Sequence, residues 1–163
     1  MSSDTPAAQL AAPERLWRLP TWMLSRLAVR SYRLVVDRLT SAGVRRDHYA
    51  ILAALEEFGS ASQATLARRL GIDRSDVVAV LNDLERDGLA LRAPDDHDRR
   101  RNAISITAAG SRTLRSLDDL VDEAQRALLE PLSAHERRQF SDLLRRLVEH
   151  HRARADAAHD PTG

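Results

Sequence analysis

Apolar residues recur at helical spacing through four long segments, which glycine or proline separates. The first segment is predicted to run from a Thr21 cap to about Ser41, and the second covers 46–58. The third covers 108–130, and the last opens with the capping box SAHE at 133–136. The pattern predicts a mainly α-helical chain.

The middle of the chain, residues 66–84, has a different pattern of apolar, glycine and capping residues. Leu66, Ala67 and Leu70 form a short apolar helical face, and Gly71 supplies the backbone freedom for a tight turn. Asp73 is the predicted N-cap of a second helix. The predicted inward stripe of that helix consists of Val77, Val80, Leu81 and Leu84. These signals predict helix, turn and helix.

A β-hairpin is predicted directly after the second helix. Gly88 ends the helix, and Leu89 and Leu91 alternate as the inward residues of a half-buried strand. After a polar tip, Ile104 and Ile106 alternate in the same way. The predicted fold is therefore mainly α with a small β-hairpin wing, a winged helix-turn-helix with further helices at both ends.

The outward side of the second helix, 74–87, is polar. A surface helix presented by a short turn fits the major groove of duplex DNA, and a basic hairpin beside it can reach the minor groove. The hairpin tip carries three aspartates and a histidine, followed by three arginines. We therefore expect this helix to read DNA. Its outward residues are Arg74, Ser75, Asp76, Ala79, Asn82 and Asp83.

These segments resemble the multiple-antibiotic-resistance regulator (MarR) family. The family pattern is matched by LARRLG, DRSDVV and LNDLERDGL, and its wing signature by Asp98-Arg99-Arg100 with ISITAAG, whose threonine is a predicted helix cap. The resemblance implies a wing over 92–103, with Arg100 in the minor groove and Asp98 steering its side chain. We expect Arg99 and Arg101 to touch phosphates. The alternative is a solvated hairpin tip.

Other positions on the reading side have more than one interpretation. Arg68 and Arg69, together with Arg45 and Arg46, are either phosphate contacts or solvated side chains. Asp76 accepts a hydrogen bond from cytosine N4, repels phosphate, or only stabilises the start of its helix. The family commonly has hydroxyl or basic residues in this part of the helix. An unusual operator or a modest affinity is therefore expected.

The resemblance implies that the outer helices interlock with a second copy of the chain. A small winged domain cannot cover three long amphipathic helices, and a two-fold dimer places two reading helices about one DNA turn, roughly 34 Å, apart. The alternative is a bundle within one chain. The predicted organisation is a disordered tail (1–13), an N-terminal dimerisation helix (14–44), the winged helix-turn-helix (45–107), C-terminal dimerisation helices (108–151) and a frayed tail (152–163).

Members of the family often bind a small aromatic or anionic effector between the dimer helices and the winged domain. The candidates to line such a pocket are Trp22, Arg26, Tyr32, His48 and Tyr49. Each is equally consistent with core or interface packing. Neither a metal nor a cofactor is expected, because no two histidines stand four residues apart and no HExxH motif occurs.

Composition narrows the classes of protein further. The formal net charge is only +1, so attraction to DNA depends on local clusters of charge. The absence of cysteine excludes disulfides, thiolate zinc sites and cysteine-based redox sensing. No apolar run approaches the ~20 residues that span a bilayer, and the start lacks a signal-peptide pattern. A cytoplasmic protein without a membrane partner is expected.

The resulting hypothesis is a homodimeric transcription regulator, most often a ligand-responsive repressor in the family, that binds a pseudo-palindromic operator in double-stranded DNA. No nucleophile elbow, phosphate loop or zinc motif supports an enzyme. The alternative is a winged-helix protein-interaction module with weak or lost specific DNA binding. The acidic and apolar residues on the reading helix motivate this alternative.

Overall fold

The computed structural model describes residues 12–94 and 102–158. Its elements in chain order are α1 (Glu14–Trp17), α2 (Pro20–Ser41), α3 (Arg46–Phe58), β1 (Ala61–Ser62), α4 (Gln63–Leu70), α5 (Arg74–Arg86), β2 (Ala90–Pro94), β3 (Asn102–Ile106), α6 (Ala108–Leu128) and α7 (Ala134–Ala158). The chain forms two compact units, the first ending at Gln125 and the second beginning at Arg126. A mainly helical fold with a small antiparallel sheet is confirmed.

The core of the first unit lies between α3, α4, α5 and the sheet. The four inward residues predicted for the second helix of the motif, which is α5, are all buried. Each such side chain contributes about 1.5–3 kcal/mol by leaving water. The largest fully buried side chains around them are Leu39, Ile51, Leu52, Leu55, Leu66 and Ile104.

The sheet has three antiparallel strands in the order β1-β3-β2, one more than the predicted hairpin. The extra strand, β1, pairs Ala61 with Ile104 and Ser62 with Ala103. Two residues are too few to produce an alternating pattern, which is why the sequence does not reveal this strand. The register between β2 and β3 runs from Ala90 opposite Ile106 to Pro94 opposite Asn102.

The alternation predicted for β2 is wrong by one residue. Ala90 is buried, whereas Leu91 is 59% exposed. Because neighbouring residues of a strand point to opposite faces, the burial of Ala90 places Leu91 on the outside. In β3, Ile104 is buried as predicted and Ile106 is half-buried.

The helix α2 begins one residue before the predicted cap. Leu19 occupies the N-cap position without a side-chain hydrogen bond, and Pro20 opens the helix. Proline suits this place because its φ is already helical and it has no N–H to satisfy. Thr21 is therefore inside the first turn, and its prediction as the cap is wrong.

Most of the apolar side of α2 is exposed in the single chain. Leu39 is the buried residue of this helix, which is described in full. The exposed apolar residues of α2 and the segment before it are Trp17, Leu19, Met23, Leu24, Leu27, Val29 and Tyr32. Of these, Met23, Leu24 and Leu27 lie on one side of α2, and exposed apolar side chains that neighbour one another in this way mark an interaction site.

The junction between β3 and α6 is tightly built. Thr107 Oγ1 accepts a hydrogen bond from Gly110 N at 2.9 Å and donates one to Gly88 O at 2.8 Å. This confirms Thr107 as a helix cap and ties α6 to the end of α5. Gly110 is buried against Leu89 and Ile106, with no space for a side chain.

In the second unit, the capping box is confirmed. Glu136 Oε2 accepts from Ser133 N at 2.8 Å, and Glu136 N donates to Ser133 Oγ at 3.4 Å. The helix α7 that follows continues to Ala158, so the first part of the predicted frayed tail is helical. Its alanines and arginines have high helix propensity, which explains the continuation. Leu143 and Leu147 on α7 are 55% and 49% exposed.

Candidate nucleic-acid interface

The turn between α4 and α5 is short and well defined. Gly71 has φ 64° and ψ 34°, the left-handed conformation that favours glycine. Ile72 N donates to Ala67 O at 3.1 Å, which closes the turn. Asp73 takes the N-cap position of α5 as predicted, although its side chain makes no capping hydrogen bond. The turn presents the first residues of α5 at the surface.

The side of α5 opposite the core is exposed over its whole length. An α-helix has 3.6 residues per turn, so Ser75, Ala79 and Asn82 lie along one line of this side. The structure exposes on it five of the six residues predicted to face outward. These exposed residues are Arg74, Ser75, Asp76, Ala79 and Asn82.

The two arginines of α4 have different surroundings. Arg68 lines an open depression of about 460 Å³ at the turn, together with Gly71, Asp73 and Arg74. Arg69 lies over the ring of Phe58, with its Cζ atom 4.0 Å from the ring centroid. A stacked guanidinium keeps its in-plane N–H donors available while the ring restricts its motion. Both arginines are exposed, and Arg68 lies beside the start of α5.

The base of the wing is attached to α5 by a pair of charges. Arg92 Nη2 on β2 lies 3.2 Å from Glu85 Oε2 on α5, without hydrogen-bond geometry. The contact limits the movement of β2 relative to α5. The predicted DNA contacts of the tip, Asp98, Arg99, Arg100 and Arg101, lie outside the described residues.

Asp83 does not face outward as the sequence predicts. It is half-buried, and its carboxylate contacts three basic side chains. Arg45 Nη2 and Arg86 Nη1 each lie 3.0 Å from it, and His48 Nε2 lies 3.4 Å away. Desolvation acts to raise the pKa of Asp83, but the hydrogen bonds and charges of Arg86 and His48 outweigh it and lower that pKa. Asp83 is therefore a charged group that is paired with basic side chains.

The five candidates for an effector pocket contact different partners. Arg26 lies over the ring of Trp22 at 5.7 Å, and Arg46 lies over Tyr32 at 5.3 Å. His48 contacts Asp83, and Tyr49 contacts Asp118 of α6. These contacts do not join the five side chains around one described cavity, so the assignment stays a prediction.

Tyr49 is the most perturbed of these groups. Its hydroxyl donates to Asp118 Oδ1 at 2.9 Å. Burial, followed by the hydrogen bond and charge of Asp118 and the charge of Asp122, raises the pKa of Tyr49 from 10.0 to about 12. The neutral phenol is therefore the form that the fold stabilises. Its contribution to stability is complete below pH 10 and is lost as the pH rises from 10 to about 12.

We expect a phenol that ionises near pH 12 in the folded protein, measured by the absorbance of phenolate against pH. Tyr49→Phe should remove this step. Asp118→Asn should move it toward lower pH, because the neighbouring negative charge is lost. A step near pH 12 that survives in Tyr49→Phe would contradict the assignment.

Two features of this surface were not predicted from the sequence. Arg45 and His48 contact Asp83 from the start of α3, but they lie far away along the chain, and the sequence pattern gives no sign of these contacts. Arg86, in contrast, has a readable signal, because it stands four residues after Asn82 and so lies on the same helix side. The structure shows Arg86 exposed at the end of α5.

Two features are absent from the described part of the chain, a cluster of metal ligands and a membrane-spanning helix. In residues 12–94 and 102–158, no three side chains of histidine, aspartate or glutamate are grouped so that they could hold a metal ion. Within the same ranges, no helix combines the length and apolar character needed to cross a membrane.

Comparison with known proteins shows that this chain is similar to transcription regulators. The model of the MarR family matches residues 42–101, from the segment before α3 to the wing. A relative from Thauera aromatica, named as a regulator of the hcr operon, is 33% identical over 108 residues, which are 66% of this chain. The chain spans 65% of the length of that relative.

Two solved structures are similar over almost their whole length. The PcaV transcriptional regulator of Streptomyces coelicolor, in complex with its natural ligand, has a TM-score of 0.69 and 32% identity, covering 86% of this chain and 98% of its own. CouR of Rhodococcus jostii RHA1, bound to p-coumaroyl-CoA, has a TM-score of 0.69 and 28% identity, covering 83% and 95%. With the match to the family model and the identity to PcaV over that regulator's length, this chain belongs to the MarR family of transcription regulators.

Proposed function

We propose that the chain is a homodimeric, ligand-responsive repressor that binds a pseudo-palindromic DNA operator. The helix α5, extended to 74–87, reads bases in the major groove, and the wing, 92–103, lies against the neighbouring minor groove. The observation that carries the proposal is the two-sided character of α5, whose one side is buried in the core and whose other side exposes polar groups after a tight turn. A cytoplasmic location is part of this proposal.

The division of work along α5 follows from its chemistry. Arg74 stands at the first helical position, where a guanidinium can meet a phosphate. Asn82 can pair with adenine N6 and N7, and Ala79 leaves room for a thymine methyl group. Asp76 can accept a hydrogen bond from an amino group of cytosine or adenine. Asp83 does not compete for such a donor, because its carboxylate is paired with Arg45. Arg68 and Arg69 support this surface with phosphate contacts, and the wing residues Asp98, Arg99, Arg100 and Arg101 extend it.

Dimer formation is supported by the apolar surfaces outside the winged core. In the part of the chain that the structure describes, α2 in the first unit and α7 in the second each carry exposed apolar residues. A two-fold dimer would bury such surfaces and hold two copies of α5 at the spacing of a DNA turn. The roles proposed for 14–44 and 108–151 are therefore those of dimerisation segments.

Regulation by a small molecule is proposed from the relatives. PcaV is described with its natural ligand and CouR with p-coumaroyl-CoA. A small aromatic or anionic effector is the corresponding expectation for this chain. Its binding would favour a dimer whose two reading helices are wrongly spaced, which lowers the affinity for both half-sites together.

The second candidate is a protein-interaction module. The exposed Asp76 and Ala79 stand three residues apart on α5, and this part of its outward side lacks basic residues. Such a surface could bind an apolar segment of another protein. The two functions differ in their dependence on salt, because DNA binding releases counterions and protein binding of this kind does not.

The test begins with duplexes selected by the protein from a random library, followed by affinity measurements between about 50 and 200 mM salt. We expect binding to a selected duplex that exceeds binding to an unrelated one by about 10³-fold or more. Its logarithm should fall linearly with log salt, by about 0.9 for each phosphate contact. Arg74→Ala should weaken binding to both duplexes. Arg145→Ala, which removes an exposed arginine of α7, is the control and should have no effect.

Either of two outcomes would contradict the proposed regulator. If no duplex is enriched, or if binding to the enriched duplex does not change with salt, the chain does not read DNA. Salt-insensitive binding to a protein would then favour the interaction module.

A further inference from the structure

Three basic side chains surround Asp83 at the boundary between α5 and the start of α3. Arg45 and Arg86 bind separate carboxylate oxygens, Oδ2 and Oδ1, each at 3.0 Å. His48 Nε2 lies 3.4 Å from Oδ2. The side chains of the two arginines are 61% and 68% exposed, whereas those of Asp83 and His48 are 28% and 13% exposed. The acid is thus the inner partner, and an approaching anion meets the arginines first.

The charges around this group are close to balanced. Asp87 on the C-cap of α5 also lies 3.4 Å from Arg86 Nε. Two arginines, Arg45 and Arg86, thus face two aspartates, Asp83 and Asp87. An anion is therefore attracted because the arginines lie outside the acid and are met first, and not because the group has a net positive charge. A guanidinium has five N–H donors, and the contacts with Asp83 and Asp87 leave several of them for another acceptor.

The position of Arg86 along α5 shows which anion it can meet. Ser75, Ala79, Asn82 and Arg86 stand at i, i+4, i+7 and i+11, so they lie along one side of the helix. Eleven residues at about 1.5 Å each place Arg86 about 16 Å beyond Ser75 along the axis. The major groove is only about 12 Å wide. If the first turns of α5 read bases, its last residue stands at the sugar-phosphate wall of the groove.

We propose that Arg86 and Arg45, oriented by Asp83, bind DNA backbone phosphates at the C-terminal end of the reading helix. This inference rests on the proposed function, since it requires α5 to enter the major groove. It adds a contact at the end of the helix opposite to Arg74, so that α5 is held to the backbone at both ends. Phosphate contacts of this kind set the position of a helix in the groove and do not themselves read sequence.

The shared carboxylate explains why two arginines can hold these positions. An isolated surface arginine loses side-chain entropy when a phosphate fixes it. Asp83 restricts both side chains before DNA arrives, so less entropy is lost on binding. The alternative is that the ion pairs only connect α5 to α3, a role in which exposed pairs contribute little to stability.

The test compares Arg86→Ala, Arg45→Ala and the double variant with the wild-type chain on one selected duplex and one unrelated duplex. We expect the slope of log affinity against log salt to decrease by about 0.9 in each single variant and by about 1.8 in the double variant. When the salt concentration is raised from about 50 to 200 mM, the affinity of each single variant should then fall by a factor about 3-fold smaller than the factor for the wild type. Both duplexes should be affected alike, because phosphates are present in every sequence.

Two control variants separate this role from a structural one. Asp87→Ala removes the outer acid without removing a donor, and it should leave the slope unchanged. Arg145→Ala on α7 should also have no effect. An unchanged slope in the Arg86 and Arg45 variants would overturn the phosphate contact, even if their thermal stability falls. A wild-type chain that binds no duplex would contradict the proposed function itself, which is a distinguishable result.

Discussion

Leu147→Glu is expected to turn the dimer into a monomer and to lower operator affinity by about 100-fold or more. Leu147 is half exposed on α7 and stands one turn after Leu143, which is also exposed. If a second copy covers this side, a glutamate there would be buried without a partner, which costs several kcal/mol. A monomer holds one half-site only and loses the gain of binding two at once. Molar mass in solution and affinity for the selected duplex measure the two effects.

The matched control is Ala153→Glu. Ala153 is an exposed residue of the same helix, beyond the proposed dimerisation segment, and is turned about 120° away from Leu147 and about 140° away from Val148 around the helix axis. The control adds the same charge without entering the proposed interface, so its mass and affinity should equal those of the wild type. A Leu147→Glu chain that remains a dimer would show that this side of α7 is not the interface.

The second large effect is expected for Gly110→Ala, which should lower the free energy of unfolding by about 3 kcal/mol. A Cβ atom at this position would overlap the carbonyl oxygen of Leu89 and lie 2.7 Å from Ile106 Cγ1. The carbonyl belongs to the backbone, so a change of rotamer cannot relieve the overlap. Either α6 or the end of α5 has to move. Thermal or denaturant unfolding measures the loss.

Gly71 supplies the control because its constraint has a different origin. It has φ 64°, and an added Cβ would meet nothing within 4 Å. Gly71→Ala should therefore cost only the left-handed conformation, about 1–2 kcal/mol. Gly71→Asn should recover part of this loss, since asparagine tolerates that conformation, whereas Gly110→Asn should be worse than Gly110→Ala. Equal responses of the two glycines to asparagine would contradict the crowding at Gly110.

The elements of the winged domain were predictable because their signals are local. The stripe of α5 follows from its helical period, and the cap at Ser133 follows from a glutamate three residues later. Errors occurred where local signals compete or are too short. Thr21 is a good cap residue, but Pro20 opens the helix. Leu91 was predicted to lie inside because leucine is apolar, whereas the pairing of β2 with β3 buries Ala90.

The reading surface was predictable to a similar extent. Arg74, Ser75, Asp76, Ala79 and Asn82 are exposed because their spacing is fixed relative to the buried stripe of α5. Asp83 fits the same helical period, but the prediction that it faces outward is wrong. Its partner Arg45 is 38 residues away along the chain, and only the packing of α3 against α5 brings the two together. The effector pocket was the least predictable part, because its candidates are aromatic and basic side chains that also serve in packing.

The order of residues along this chain was enough to establish the family, the turn between the two helices of the motif, and the outward side of the reading helix. These properties depend on contacts within about one helical turn and on period, so they can be recognised before any packing is known. Only the tertiary packing determines which charged side chains on that side are already paired within the chain. Asp83 is withdrawn by Arg45, His48 and Arg86 because α3 and α5 share a core, and Gly110 is required because α6 passes directly over Leu89.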